Sequence, residues 1–161
     1  MPDIRVLGSD EWDTLRNVRL TALRQTPHTF LSSYEREKGY GEDDWRAEFK
    51  RGSWNVGRLA GEDICLLGVT REPLMPMHQC YLEYMWVDAK FRRRGIASRM
   101  LLTVLDRLRE SGVRTVFLWV LDGNDPALRL YERAGFVRTQ LSQPARPGRS
   151  EELLLLNLTW T

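Results

Sequence analysis

Between Cys80 and Leu121 the hydrophobic pattern changes period twice, and this restricts the fold more than any other feature of the chain. The run from Cys80 to Val87 is apolar and aromatic over strand length, the pattern of a central strand covered on both faces. From Gly95 to Ser111 the residues Ile96, Ala97, Met100, Leu101, Val104, Leu105 and Leu108 fall on one helical face, and Gly112 closes the helix. Thr115 to Leu121 is a second apolar run of strand length. Two buried strands joined by a long helix call for a parallel crossover, because only a tight turn reverses the chain into an antiparallel neighbour.

The remaining segments fit around that unit. Ile4 and Val6 alternate as a short strand; a Ser9/Asp10 cap then precedes Trp12, Leu15, Val18, Ala22 and Leu23 at helical spacing, and Pro27 stops the helix. Phe30/Tyr34 and Trp45/Phe49 predict two short helical pieces around Gly39 and Gly41. Trp54 to Glu72 is expected to be a hairpin bent at Gly61, Glu62 and Asp63. Asp125 is the expected cap of a helix with Pro126 at its first position and Ala127, Leu130, Tyr131 and Ala134 on one face, ending at Gly135. Two strands, Phe136 to Leu141 and Glu151 to Trp160, finish the chain across a mobile Pro/Gly/Arg-rich connection, Ser142 to Ser150. The expectation is one domain over residues 1–161, a mixed α/β sheet.

Charge and cysteine content exclude several functions. The chain has 161 residues, and 24 basic side chains against 22 acidic ones leave a net charge of +2, too little to gather a polyanion. The arginines of Phe91-Arg-Arg-Arg-Gly95 therefore rank last as a nucleic-acid contact. Cys65 and Cys80 form no CxxC, and the only histidines, His28 and His78, offer no ligand cluster, so no metal is expected. No apolar span of membrane length occurs and no leader pattern opens the chain; the expected location is cytoplasmic, with no membrane partner.

The segment Arg92 to Ser98 carries the chemistry. A strand, a short basic loop and a glycine at the mouth of a helix outline an anion cradle, because amides of the first helical turn lack intrahelical partners and the helix dipole adds positive charge there. Any side chain at Gly95 would hold phosphate oxygens away from those amides. The spacing Arg92-x-x-Gly95-x-Ala97 is followed by Asn124, Ala127, Leu130-Tyr131-Glu132 and Gly135-Phe136. Together these motifs resemble the GNAT superfamily of acyl-CoA-dependent N-acetyltransferases over about Tyr81 to Val137, with Ala97 where many members have a second glycine.

The resemblance implies a mixed, mostly antiparallel sheet of about seven strands flanked by about four helices, with a splayed parallel strand pair. It implies acetyl-CoA as co-substrate. The pyrophosphate would lie on the amides of Arg93, Arg94, Gly95, Ile96, Ala97 and Ser98 beside Arg92. The pantetheine would run along Met85, Trp86 and Val87, with Asn124 on its arm, Tyr131 at its sulfur and the Val87 amide as oxyanion donor. A homodimer is a further expectation from the family.

Amide formation needs a neutral amine and a proton for the departing thiolate. Alternation along the strand puts Tyr81, Glu83, Met85 and Val87 on one face, which makes Glu83 the candidate base; a buried ion pair with an arginine is the equal alternative. Tyr131 is the candidate acid, against a core aromatic of the same spacing. By the same resemblance Phe30 and Tyr34, with Trp45 beside them, are the expected acceptor wall, against core packing for each. No Ser/His/Asp or Cys/His arrangement occurs, so direct attack in a ternary complex on a small-molecule primary amine is expected, with a protein N-terminus or lysine, or a non-catalytic acyl-CoA-binding domain, as alternatives.

Overall fold

A computed structural model describes residues 1–158. The chain runs β1 (Asp3–Val6), α1 (Trp12–Gln25), α2 (Tyr34–Glu37), α3 (Glu42–Arg51), β2 (Gly52–Leu59), β3 (Glu62–Thr70) and β4 (Gln79–Val87). It continues through α4 (Ile96–Glu110), β5 (Thr115–Leu121), α5 (Asp125–Arg133), β6 (Val137–Arg146) and β7 (Arg149–Asn157). The seven strands form one sheet in the order β1-β2-β3-β4-β5-β7-β6, parallel at β4–β5 and antiparallel elsewhere. The mixed sheet with one parallel pair is the expected architecture, and among the described residues five α-helices accompany it, where about four were expected.

The parallel pair is short. Only Gln79 to Tyr81 register with Thr115 to Phe117, after which the strands diverge. On one face, Met100, Leu101, Val104 and Leu105 of α4 pack on Cys80, Leu82 and Val87 with Tyr131 of α5. On the other, Leu15 and Val18 of α1 and Trp45 of α3 pack on Trp54, Leu66 and Trp86.

β4 departs from simple alternation. Gly68 faces Glu83 and Leu66 faces Trp86, so two residues, Tyr84 and Met85, oppose Leu67 alone, and Tyr84 takes a left-handed φ of 60°. Such a bulge reverses the faces beyond it. Met85 and Val87 therefore pack with the α4 face, whereas Glu83 joins Arg51 and Thr70 on the α1/α3 face. The expected common face for Glu83, Met85 and Val87 is corrected by this one extra residue.

Three boundaries also differ from the sequence reading. The β2–β3 turn falls at Ala60 and Gly61, both with positive φ, which a two-residue hairpin needs. Asn124, not Asp125, caps α5 and accepts from the Ala127 amide at 3.4 Å. Ser142 to Ser150 is no mobile connection: β6 and β7 extend to a tight turn at Pro147 and Gly148. Pro144 is tolerated because β6 is the sheet edge. The expected strand end at Trp160 lies outside the described residues.

One buried cation organises the α1/α3 face. Arg19 is 1% exposed, with its guanidinium 4.2 Å from the Tyr84 ring centre and 5.0 Å from each of Trp45 and Trp54. It pairs with Glu37 at 2.7 Å and Glu48 at 3.2 Å, and Tyr84 donates to Glu37 at 2.8 Å. Trp45, fully buried in this stack, is core and not acceptor wall. Removing one partner of a buried pair strands the other charge, at a cost of about 3–5 kcal/mol. Arg19→Met should therefore lower the urea unfolding free energy by that order, and adding Glu37→Gln should recover part of it; an unchanged midpoint for the single variant would refute the central role of Arg19.

Candidate active site

Where β4 and β5 diverge, the sheet opens into a cavity of about 460 Å³. Its walls come from Glu83, Tyr84 and Met85 of β4, Trp119 and Leu121 of β5, Asn124 and Tyr131 around α5, and Glu151 of β7. The segment Thr29 to Ser32 and the residues Arg19, Glu37, Glu48 and Arg51 close it on the α1/α3 side. Arg146 of β6 donates to the Pro27 carbonyl at 3.2 Å, tying the C-terminal hairpin to the segment after α1.

The wall is ionic on one side and apolar on the other. Arg51 bridges Glu48, at 3.0 Å, and Glu83. The second oxygen of Glu83 accepts from the Thr70 hydroxyl at 3.1 Å. Both carboxylate oxygens of Glu83 are thus engaged, the geometry of the ion-pair alternative. Tyr131, 8% exposed and edge-on to Phe136, reaches the cavity from α5. Burial pushes its phenol above the ordinary tyrosine range, so it remains protonated throughout the neutral range.

The other expected residues divide. Phe30 lines the cavity and stacks on Tyr84 at 5.1 Å. Tyr34 packs instead on the α1/α3 core and under Arg24, outside the cavity wall. The Trp86 side chain is buried in that same core, so only its backbone is left to face a ligand. Val87 packs under α4, and its carbonyl accepts from Arg92 at 3.0 Å.

The three arginines after Phe91 do different things. Arg92 turns back onto the strand end, Arg94 lies over the Phe91 ring at 5.3 Å, and Arg93 takes a left-handed φ of 63°. Gly95 follows with φ 76° as the α4 cap, and a Cβ built there meets nothing within 4 Å. The first bond of α4 runs from Arg99 to the Gly95 carbonyl at 3.0 Å, so the amides of Ile96, Ala97 and Ser98 have no helical partner. Free amides, open space at Gly95 and exposed arginines together fit a pyrophosphate.

Sequence reasoning missed Glu151, Trp119 and the Arg19–Glu48–Arg51 chain. Helical or strand periodicity shows which face a residue occupies, not which distant charge it meets.

The Acetyltransferase (GNAT) family model matches residues 15–136. An uncharacterized N-acetyltransferase of Bacillus subtilis, YdgE, is 30% identical over 88 residues, covering 55% of this chain and 56% of its own length. The N-alpha-acetyltransferase RimI of Mycobacterium tuberculosis is 30% identical over 131 residues, covering 77% of this chain and 81% of its own. The chain spans about half the length of the Bacillus relative and less of some others. Among solved structures, yncA of Salmonella typhimurium with its cofactor acetyl-CoA superimposes with a TM-score of 0.79 at 14% identity, over 100% of this chain and 96% of that one.

Gly95 combines a left-handed backbone with open space in front of the free amides, so a side chain there is strained by its φ and would fill the space a phosphate needs. Gly95→Ala should cost about 1–2 kcal/mol of stability from its φ. It should also reduce the rise in melting temperature produced by desulfo-CoA. An undiminished rise would remove this loop from the site.

Proposed function

This chain belongs to the acetyltransferase (GNAT) family, and on that premise we propose that it moves an acetyl group from acetyl-CoA to a primary amine of a small molecule by direct attack in a ternary complex. The observation that carries this reading is the cavity at the β4–β5 divergence, which reaches Tyr131 on α5 and lies beside the strand that leads into the free amides of α4. Acetyl-CoA supplies the activated acyl group and a thiolate leaving group. In this reading the amides of Ile96, Ala97 and Ser98 hold its pyrophosphate with Arg93, and the diverging edges of β4 and β5 receive the pantetheine beside Asn124.

Tyr131 is assigned the proton donor to the departing sulfur, a role supported by a buried phenol that stays protonated. Glu83, engaged by Arg51 and Thr70, is assigned the ion-pair role that orders the ionic wall. Phe30, stacked on Tyr84, forms the apolar acceptor wall. The closing of the cavity by Thr29 to Ser32 on the α1/α3 side supports a small acceptor over a protein surface. A protein N-terminus is the second reading, favoured by likeness to a relative named as an N-alpha-acetyltransferase.

Incubation with acetyl-CoA and a panel of primary alkylamines and N-terminal peptides, followed by free thiol, separates these readings. Thiol release with small amines supports the first and with peptides alone the second. Acetyl-CoA binding without release on any acceptor would leave a binding domain.

Tyr131→Phe removes one oxygen and keeps the ring on Phe136. The expected result is a fall in kcat toward ~10²-fold, the low end for a general acid because a thiolate leaves readily, with acetyl-CoA affinity unchanged. In the parent protein the acid-dependent rate should decline only as pH rises beyond the ordinary tyrosine range, since the folded phenol is raised above it. A single-turnover rate within about twofold of the parent would make Tyr131 a packing residue.

A further inference from the structure

The cavity contains one carboxylate with no counter-charge. Glu151 is 4% exposed, lies on β7 opposite Leu121 of β5, and faces the cavity. Its one side-chain hydrogen bond comes from Gln143 of β6, at 2.6 Å to Oε1, and no ion pair reaches it among the described residues. Arginines stand near it in sequence but are aimed elsewhere. Arg146 donates to the Pro27 carbonyl and Arg149 to the Asp122 carbonyl at 2.6 Å.

The other carboxylates around the cavity are matched. Glu37 and Glu48 face Arg19, and Glu48 and Glu83 face Arg51. Arg36 of α2 is exposed at the rim, together with the phenol of Tyr40. Tyr81, Tyr84 and Tyr131 are all pushed upward, first by burial, and remain neutral. On the opposite face of β7, Glu152 is held by Arg138 at 2.7 Å. A buried carboxylate without a cation is costly unless a ligand brings one.

We propose that Glu151 is the carboxylate that receives the acceptor's ammonium group and takes up the proton it must shed before attack. This rests on the amine-acetylation reading of the same cavity and names the acceptor class: an alkylamine that is protonated when it arrives. The ammonium gives one proton to Glu151, which passes it to solvent. The neutral nitrogen then forms its bond to the acetyl carbon as the carbon–sulfur bond breaks with its electron pair on sulfur. The nitrogen's second proton leaves through water, sulfur gains one from Tyr131, and water returns a proton to Tyr131, so the sum is one acetamide, one thiol and one released proton. Oε1 stays fixed by Gln143, leaving Oε2 for the nitrogen.

The test compares the parent protein with Glu151→Gln, which keeps the shape, and Glu151→Asp, which keeps the charge. First, 2-phenylethylamine is titrated calorimetrically into the protein alone; Glu151→Gln should weaken binding tenfold or more, and Glu151→Asp should retain part of it. Second, kcat/KM for the best amine of the panel is followed against pH. Glu151→Gln should lose ~10²-fold near neutrality and regain ground as free amine accumulates, with the KM for acetyl-CoA unchanged. Aniline, neutral near pH 7, should be indifferent to the substitution in both measurements. Equal amine binding and a parallel pH profile in Glu151→Gln would overturn the proposal, as would an equal loss with aniline. If the parent acetylates no amine, the amine-acetylation reading itself falls, a separate outcome. Circular dichroism and the melting shift with desulfo-CoA establish that each variant is folded.

Discussion

The hydrogen-bond ladder between β4 and β5 stops after Tyr81 and Phe117, and the rest of the molecule is arranged around that interruption. Buried backbone groups must be paired, so two strands that part inside a sheet leave facing edges that need another partner. Here the strands part toward their C-terminal ends, where β4 leads into the α4 cap and β5 into the α5 cap. Both helix starts therefore lie at the same open end as the gap. A ligand entering there finds strand edges, helix amides and side chains from both faces of the sheet at once.

The bulge in β4 and the Arg19 stack keep that gap in shape. Tyr84 sits in the bulge with its backbone left-handed, and its ring stacks on Phe30 and lies against the guanidinium of Arg19. The same phenol bonds Glu37, so the bulge is anchored to α1 and α2 through one side chain. Packed rings around a paired cation strengthen one another and hold this wall of the cavity together. This polar network occupies the helix face that covers β2, β3 and β4, leaving the α4 face to ordinary aliphatic packing.

Features carried by neighbouring residues were legible in the sequence. The period changes around Cys80 to Leu121 located the parallel crossover, and Gly95 marked the start of α4 because its role is local. What escaped depends on residues far apart or on a single inserted one. The bulge at Tyr84 leaves no trace in composition, yet it separates Glu83 from Met85. The pairing of Glu83 spans 32 positions to Arg51, and Glu151 faces the cavity only because β7 lies beside β5. The Ser142 to Ser150 segment has loop composition, but its strand pairing is set by Gln143 meeting Glu151 and by an edge position that accepts Pro144.

The contact between Arg146 and Pro27 joins positions 119 residues apart. Contacts of such separation carry a larger loop-closure entropy than local ones. The crossover from β4 through α4 to β5 contains its own strands and helix start, and it is assembled from contacts of much shorter range. The free amides at the start of α4 are set within that unit, whereas the C-terminal hairpin is tied back to the segment after α1 across 119 positions. In the proposed reading, amides set within one local unit hold the donor, and the carboxylate that meets the acceptor comes from β7, the last strand in chain order.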